Sequence, residues 1–405
     1  MQLVYYIAIQ LYALGIRLAS FRSEKAQAWI DGRVNWRNRL PTQKSKPRYW
    51  FHCASLGEFE QARPLMEFYH QQGIEICLSF YSPSGYEIRK DYDLASWVGY
   101  LPLDSPKNAK DFVRAMDADK VFFVKYEFWY FFLMEIKRQK IPFFLVSARF
   151  RSSQPFFKPW GSLHRKMLTA YSYIFTQDEE SLNLLASFNL PAIHAGDTRF
   201  DRVTQLKERR VELPLLEAFC DDSFVVMAGS SWPMEEGLIR DVMEDFPYFK
   251  WVIVPHDIST AHCEEIENVF DGSCIRYSAL ETGKSDPLKR VLLMDKMGLL
   301  GNAYPYANVA LVGGGFSNAL HNILEAAVWG IPVCYGDSIK KYPEGIDLAK
   351  TGGGFLLANE EEFKEILVEL SSPNAAHEAG KKAAAWIDKN RGASQKIIEK
   401  VASAD

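Results

Sequence analysis

Short apolar runs alternate with longer amphipathic runs along most of this 405-residue chain, and the alternation occurs in two successive halves. A short apolar run is typical of a buried strand, and a longer amphipathic run is typical of a helix. Strands joined by crossover helices form parallel sheets that are covered on both faces. Because one hydrophobic core rarely serves more than about 250–300 residues, the pattern predicts two Rossmann-like, doubly wound α/β domains that face a central cleft.

The predicted strands divide the chain into its parts. In the first half they lie near residues 49–54, 74–80, 97–101, 120–125, 143–147, 173–176 and 192–195. In the second half they lie near residues 224–228, 251–255, 290–294, 308–312 and 332–335. A charged run falls between the two sets and a lysine- and alanine-rich tail follows the second. The predicted parts are an amino-terminal helix at 1–22, a first domain at 23–204, a linker at 205–215, and a second domain with terminal helices at 216–405.

Composition narrows the functional classes. Apolar residues make up 48% of the chain and charged residues 24%, which is typical of a globular protein. The formal net charge of -4 argues against a general nucleic-acid binder. The six cysteines form no CxxC pair and have no metal-like spacing, so they are predicted to be small core residues in a reducing compartment. No metal site and no cofactor are expected.

The amino terminus predicts an association with a membrane. Residues 3–21 are mostly apolar and are interrupted by Gln10 and Arg17, and the segment that follows is rich in arginine and lysine. An apolar helix beside a basic surface suits an anionic membrane face, with the rest of the chain in the cytoplasm. The alternative is a buried helix with a solvated charged edge. Whether the helix spans the membrane or lies in its interface stays open.

A glycine triplet is the first candidate for ligand binding. Gly313, Gly314 and Gly315 follow an apolar run and precede a segment, 318–329, that is compatible with a helix. Glycines allow the backbone to approach a ligand closely, and the start of a helix attracts a phosphate. His321 and Glu325 would then lie on one helical face, where the carboxylate could bind ribose hydroxyls. The alternative is that the glycines only permit close packing.

Carboxylates follow two predicted strands of the first half. Ser55, Gly57 and Glu58 come after the first strand, and a glutamate at that place could accept a proton from a hydroxyl. Glu127 comes after the fourth. Arginines nearby could form ion pairs or bind a carboxylate in bidentate fashion. They are Arg149, which follows the fifth strand, and Arg199, which lies near the domain junction.

The second half adds further polar turns at strand ends. Ser230 and Ser231 follow one strand and offer small side chains and backbone N–H groups to a phosphate. His256 follows the next strand and could direct its imidazole to the same place. Asn322 stands beside His321 in the segment after the glycine triplet. In open parallel sheets, ligands bind beyond the carboxyl ends of the strands, where all of these residues are predicted to lie.

Together these motifs resemble those of the 3-deoxy-D-manno-octulosonic acid (Kdo) transferases, and the resemblance runs nearly from end to end. It is carried by residues 54–58, 125–129, 147–149 and 196–201 in the first half, and by residues 229–232, 295–298, 313–316 and 321–325 in the second. The amino-terminal apolar segment also matches the membrane anchor of that family. The chain departs from the family pattern at Pro255-His256, where many members have Pro-Arg-His, at Ala319-Leu320, and in the loop 336–342.

The resemblance implies a GT-B fold and transfer of Kdo from CMP-Kdo to a lipid A precursor, without a metal. Glu58 would be the catalytic base of an inverting reaction. Residues expected to bind the donor are Ser230, Ser231, His256, Gly313, Gly314, Gly315, His321, Asn322 and Glu325. Residues expected to bind the acceptor or its acid groups are Ser55, Gly57, Glu127, Arg149 and Arg199. The implied location is the cytoplasmic face of the inner membrane of a Gram-negative bacterium.

Two other functions remain open from the sequence. One is a GT-B transferase that uses a UDP- or GDP-sugar, since the glycine loop is shared widely. The other is a non-catalytic, membrane-bound protein that binds a sugar nucleotide. The retained Glu58 favours an enzyme, and the Ser55-to-Glu58 loop together with residues 196–199 favours Kdo transfer.

Overall fold

The computed structural model describes residues 2–284, 286 and 288–403, and it divides into two compact units. The first unit consists of Met1–Arg202 together with Arg391–Asp405, and the second of Val203–Asn390. Each unit contains one seven-stranded parallel sheet with helices on its faces. The prediction of two doubly wound α/β domains is therefore confirmed.

The elements of the first unit, up to the helix that leads into the second, follow in chain order. They are α1 (Gln2–Ala19), α2 (Glu24–Asp31), β1 (Arg48–Cys53), α3 (Leu56–Gln71), β2 (Glu75–Phe80), α4 (Pro83–Arg89), β3 (Ala95–Tyr100), α5 (Pro106–Met116), β4 (Lys120–Val124), α6 (Tyr130–Arg138), β5 (Phe143–Ala148), α7 (Ser162–Leu168), β6 (Tyr173–Thr176), α8 (Glu179–Ala186), β7 (Ala192–His194) and α9 (Thr198–Glu208).

The remaining elements continue the same alternation. They are α10 (Pro214–Cys220), β8 (Phe224–Ser231), α11 (Pro233–Val242), β9 (Phe249–Pro255), α12 (Thr260–Val269), β10 (Cys274–Arg276), α13 (Tyr277–Glu281), β11 (Val291–Leu293), α14 (Leu300–Ala303), β12 (Val309–Val312), α15 (Leu324–Ala327), β13 (Val333–Gly336), α16 (Pro343–Thr351), β14 (Gly354–Leu357), α17 (Glu360–Leu370), α18 (Pro373–Asn390) and α19 (Ala393–Ala402).

The two sheets have the strand orders β3-β2-β1-β4-β5-β6-β7 and β10-β11-β9-β8-β12-β13-β14. Their central strands are covered on both faces, which is why they are apolar in sequence without a strict alternation. In the first sheet, His52 of β1 lies opposite Ser79 of β2 and Phe123 of β4. The edge strands β10 and β14, with three and four residues, were not among the predicted strands.

The boundary between the units differs from the predicted linker. The segment 205–215 contains the end of α9 and the start of α10, and the division falls inside α9, after Arg202. The terminal helix α19 also belongs to the first unit and not to the second. Its apolar face, with Ile397 and Val401, is buried in the core beneath the first sheet. The Asp201 carboxylate accepts hydrogen bonds from the amide N–H groups at its start, at Gly392 and Ser394.

The predicted helix over 318–329 is mostly absent. Asn318 has a left-handed backbone, with φ 56°, and the helical part is only α15, residues 324–327. The amide of Ala319 donates to the carbonyl of Gly314, and that of His321 to the carbonyl of Gly313. These bonds fold the chain back onto the glycine loop, so His321 and Glu325 do not share a helical face.

The amino-terminal helix α1 has two different sides. Ile9 is buried, and the Tyr5 hydroxyl donates to Asp104 at 2.7 Å, so one side is attached to the first unit. Along the rest of the helix, large apolar side chains are exposed. They are Leu3, Val4, Tyr6, Ile7, Leu11, Tyr12, Leu14 and Leu18. Among the described residues, α1 is the one helix long and apolar enough to cross a membrane.

Candidate functional site

The turn between β1 and α3 holds the Glu58 carboxylate in place. Ser55 caps the helix, since its hydroxyl accepts the amide N–H of Glu58. The Glu58 side chain turns back, and its Oε2 accepts a hydrogen bond from the amide of Ala54. Only 8% of Glu58 is exposed. Gly57 is exposed in the first turn of the helix, so a side chain at that position would meet no neighbouring atom.

The turn between β4 and α6 brings a second buried carboxylate to the same region. Lys125 has φ 59°, and this left-handed residue turns the chain immediately after the strand. Glu127 is buried, and its Oε2 accepts hydrogen bonds from His52 Nε2 at 2.9 Å and from the Trp129 indole at 2.5 Å. The hydroxyl of Tyr171 donates to the Glu127 carbonyl at 2.9 Å. The carboxylate is therefore fixed by β1 and by its own turn, and the backbone of Glu127 is held by Tyr171.

The two carboxylates interact electrostatically. Burial, followed by the negative charge of Glu127, raises the pKa of the Glu58 carboxyl from its ordinary value of 4.5 to about 8. The Ala54 hydrogen bond and the Lys125 ammonium partly oppose this rise. Such a group carries a proton below pH 8 and is a stronger base than an ordinary carboxylate. This combination suits proton abstraction near neutral pH.

The two arginines predicted to bind acid groups have partners within the first unit. Arg149 Nε lies 3.0 Å from Asp178 Oδ2, and Arg199 forks onto Asp197 at 2.9 and 2.7 Å. About a quarter of each arginine side chain stays exposed, which leaves room for a second anion. Burial raises the pKa of Tyr126, and the positive charge of Arg149 opposes that rise. Both arginines lie in ion pairs, and a binding role remains a prediction.

The second unit places its predicted residues around the glycine loop. A Cβ atom on Gly313 would lie 2.0 Å from the carbonyl oxygen of Ser230, and one on Gly315 would lie 2.4 Å from the amide of Gly336. Gly314 has φ 82°, a conformation that side chains rarely adopt. Close packing therefore requires these glycines, as the simpler interpretation of the triplet supposes, and all three are buried.

Two glutamates of α11 support this loop, and neither was among the predicted residues. The Glu235 carboxylate accepts hydrogen bonds from the amide of Gly314 at 2.9 Å and from that of Trp232 at 3.0 Å. The amide of Gly314 is thus already occupied. Glu236 accepts the hydroxyl of the buried Ser231 at 3.0 Å, so this side chain points inwards. A glutamate three residues into a helix is a capping signal, which could have identified Glu235.

Three rings form a stack beside the loop. The Trp232 and His256 rings lie 4.6 Å apart at 27°, and the His256 and His321 rings lie 4.6 Å apart at 31°. The Trp232 indole donates to His321 Nε2 at 3.0 Å. Burial, followed by repulsion from His256, lowers the pKa of His321 to about 4. His321 is therefore a neutral imidazole at physiological pH.

Asn322 and Glu325 lie together at the start of α15. The amide of Asn322 donates to Glu325 Oε1 at 3.0 Å, and its oxygen accepts the amide of Leu324 at 3.3 Å. Both side chains are half-buried. Glu325 is thus paired with Asn322 and does not share a helical face with His321. Across the described part of the chain, no cluster of histidine, cysteine or carboxylate side chains could hold a metal ion.

Comparison with known proteins agrees with these motifs. A family model described as 3-deoxy-D-manno-octulosonic-acid transferase (kdotransferase) matches residues 32–202. The transferase of that name from Aquifex aeolicus is 30% identical over 336 residues, which cover 81% of this chain and 87% of the relative. A bifunctional glycosyltransferase/methyltransferase of Fusobacterium nucleatum is 26% identical over 97% of this chain, which spans 62% of that protein.

Solved structures share the fold at low sequence identity. The UDP-GlcNAc 2-epimerase of Neisseria meningitidis superposes with a TM-score of 0.62 at 16% identity, covering 88% of this chain and 100% of its own. MurG of Acinetobacter baumannii superposes with a TM-score of 0.55 at 10% identity over the same shares. At these identities the likeness concerns the fold alone, which is GT-B. From the identity and coverage of the Aquifex relative, the chain belongs to the family of 3-deoxy-D-manno-octulosonic acid transferases, which are glycosyltransferases.

Proposed function

We propose that this protein transfers Kdo from CMP-Kdo to a hydroxyl of a lipid A precursor, with Glu58 as the general base. The observation that carries the proposal is the buried Glu58 carboxylate, with its raised pKa and with Ser55 and Ala54 fixing its position. The name of the Aquifex relative supplies the transferred sugar.

In the reaction, Glu58 takes the proton of the acceptor hydroxyl as its oxygen forms a bond to the anomeric carbon of Kdo. The bond from that carbon to the phosphate oxygen of CMP breaks, and its electron pair leaves with CMP. Attack from the face opposite the leaving phosphate inverts the anomeric configuration. A base whose pKa lies near the working pH combines a useful unprotonated fraction with high basicity, which is the role proposed for Glu58.

The second unit would bind the CMP part of the donor. The loop at Gly313–Gly315 packs closely against the backbone of Ser230 and Gly336, and the rings of His256 and of the neutral His321 lie beside it. Neutral hydrogen-bond donors and backbone dipoles can stabilise the charge that develops on a leaving phosphate. Ser230, with φ 51°, and Glu325 are proposed to contact the phosphate and the ribose hydroxyls respectively.

The first unit would bring the enzyme to its acceptor at the cytoplasmic face of the inner membrane. The exposed apolar side of α1 supports this location, because such a surface loses contact with water when it meets lipid. Basic residues follow α1 in the sequence and would be attracted by anionic headgroups and by the phosphates of the acceptor. Arg149 and Arg199 are the proposed contacts for acid groups of the substrates.

The experiment that tests this function uses CMP-Kdo, generated in situ, and a tetra-acylated lipid A precursor, with the products resolved by mass. The purified wild type is expected to add one or more Kdo residues, and Glu58→Gln is expected to add none while it still binds CMP. UDP- and GDP-sugars serve as competing donors in parallel reactions. Transfer from one of those donors and not from CMP-Kdo would contradict the proposal.

A further inference from the structure

A fully buried imidazole lies behind the two carboxylates. His52 is in the middle of the first sheet and has no exposed surface. Its Nε2 lies 2.9 Å from Glu127 Oε2, and its Nδ1 lies 2.8 Å from Ser79 Oγ and 3.1 Å from the Ser79 carbonyl. The Trp50 indole donates to the same hydroxyl at 2.7 Å. Burying so many polar atoms in a sheet is costly, and here each has a partner.

The two ends of this chain of hydrogen bonds limit where its protons can lie. The Trp50 indole can only donate, and an ionised Glu127 carboxylate can only accept. His52 can be neutral, with Nδ1 accepting the Ser79 hydroxyl proton and Nε2 donating to Glu127. It can also be charged, with Nδ1 donating to Ser79. Both arrangements place a proton on Nε2 that points at Glu127.

We infer that His52 is a positioning residue for the transfer reaction, one that fixes Glu127 and supports the negative charge with which Glu127 acts on Glu58. The inference rests on the proposed function. A carboxylate that accepts hydrogen bonds holds its charge more readily, and His52 and Trp129 together give Glu127 two donors. Without His52, the charge of Glu127 loses a hydrogen-bond donor and acts less on Glu58, and Glu58 becomes a weaker base.

Other charged and titratable groups act on this pair and are unchanged in the test. Lys125 attracts the Glu58 charge, and Tyr126 lies within range of it. The negative charge of Glu127 also raises the pKa of groups in β1, in the turn after β2 and in the segment after α7. They are Cys53, Tyr81 and Tyr171. A change at His52 therefore alters the pair through Glu127, while the rest of its surroundings stay as they are.

Two amide variants of His52 separate the proposal from a structural role. In His52→Gln the amide nitrogen reaches about as far as Nε2, whereas in His52→Asn it reaches only about as far as Nδ1. The single-turnover rate of transfer is measured as a function of pH. In H52N its ascending limb is expected to lie about one pH unit lower than in the wild type. The rate at pH 8 should fall about tenfold, as expected when a hydrogen bond to a charged group is lost. In H52Q the limb should stay close to that of the wild type.

A double variant and a milder one complete the test. When Glu127→Gln has already removed the carboxylate, adding H52N should shift the limb no further, whereas an equal shift in both backgrounds overturns the inference. If circular dichroism shows that H52N does not fold, Ser79→Ala replaces it. A smaller shift of the ascending limb to lower pH in Ser79→Ala supports the role of His52, and an unshifted limb overturns it. If the wild type transfers Kdo but the ascending limb of H52N is not shifted, the role inferred for His52 is overturned and the proposed function is unaffected. A wild type without Kdo transfer contradicts the proposed function, and the inference falls with it.

Discussion

The functional residues of the two units are built in contrasting ways. In the first unit, two buried carboxylates, Glu58 and Glu127, are brought close enough for one charge to act on the other. In the second, three buried glycines pack against neighbouring backbone beside a stack of rings, and the buried carboxylates of Glu235 and Glu236 accept hydrogen bonds from Gly314 and Ser231 respectively. The first arrangement sets the pKa of a carboxyl group, and the second sets the backbone conformation of the glycine loop. Variants in the first should change chemistry, and variants in the second should change stability and donor affinity.

The sharpest test of the contrast is Glu58→Gln, which keeps the shape of the side chain and removes its basicity. General-base catalysis contributes about 100- to 10,000-fold, so we expect the single-turnover rate to fall about a thousandfold. Binding of CMP, measured by calorimetry, should stay within about twofold because the nucleotide is assigned to the second unit. The exposed Glu87→Gln is the matched control and should retain wild-type transfer. A Glu58→Gln variant that transfers Kdo at more than a tenth of the wild-type rate would remove Glu58 from the mechanism.

Glu127→Gln should lower the rate less and change its pH dependence. Removing the charge removes the repulsion that raises the pKa of Glu58, so that pKa falls from about 8 towards its ordinary value. The ascending limb of the rate should therefore move to lower pH, and at pH 8 the weaker base should cost about ten- to a hundredfold. The measurement is single-turnover transfer between pH 5 and about 9. A limb that stays near pH 8 would show that Glu127 does not set the basicity of Glu58.

In the second unit, Gly314→Ala should act mainly on the fold. Its φ of 82° and the Ala319 carbonyl oxygen, 2.2 Å from the position that a Cβ atom would take, both oppose a side chain there. We expect a loss of about 2–3 kcal/mol in the free energy of unfolding, measured by denaturant titration, with weaker binding of CMP. Gly237→Ala is the control, because this glycine lies within α11 with no atom near its Cβ position, and alanine should stabilise the helix by about 1 kcal/mol. Equal effects of the two substitutions would contradict this view of the loop.

The smallest effect is expected at His321. Its pKa in the folded chain, about 4, is below the ordinary value of 6.5, so the unfolded chain binds more protons between these values. Stability must then fall as the pH falls from 6.5 to 4. Because the ring is only partly buried, we expect a contribution of about 1 kcal/mol. His321→Gln should lose that much less stability than the wild type between pH 7 and 5, measured by urea unfolding. The same pH dependence in both proteins would show that the ring is not held neutral.

The sequence was a good guide to the fold and to the first unit. The alternation of apolar and amphipathic runs located the central strands, because strands buried on both faces must be apolar. It also placed Glu58 after the first strand and Glu127 after the fourth, and the structure shows that these parallel strands are neighbours in the sheet. It could not show that His52, within an apolar strand, reaches Glu127, because that contact depends on the packing of two turns distant in sequence.

The second unit was predicted less well because contacts between segments override local preferences there. Residues 318–329 are compatible with a helix, but hydrogen bonds to the glycine loop hold the first part in a turn. The terminal helix α19 has an apolar face that suits either unit, and the pairing of Asp201 with its first amides places it in the first. Such choices depend on contacts with other segments, close in sequence for 318–329 and distant for α19, and are not visible in the pattern of one segment.

The central claim is that a carboxyl group with a raised pKa removes the acceptor proton. The most direct measurement is the pH dependence of single-turnover Kdo transfer by the wild-type protein, with CMP-Kdo saturating and the lipid A precursor as acceptor. The account predicts a rate that rises with pH through a midpoint near 8, where Glu58 loses its proton. A rate that is already constant above pH 5.5 would mean that the base has an ordinary carboxyl pKa, and it would contradict the coupling of Glu58 to Glu127 on which the mechanism depends.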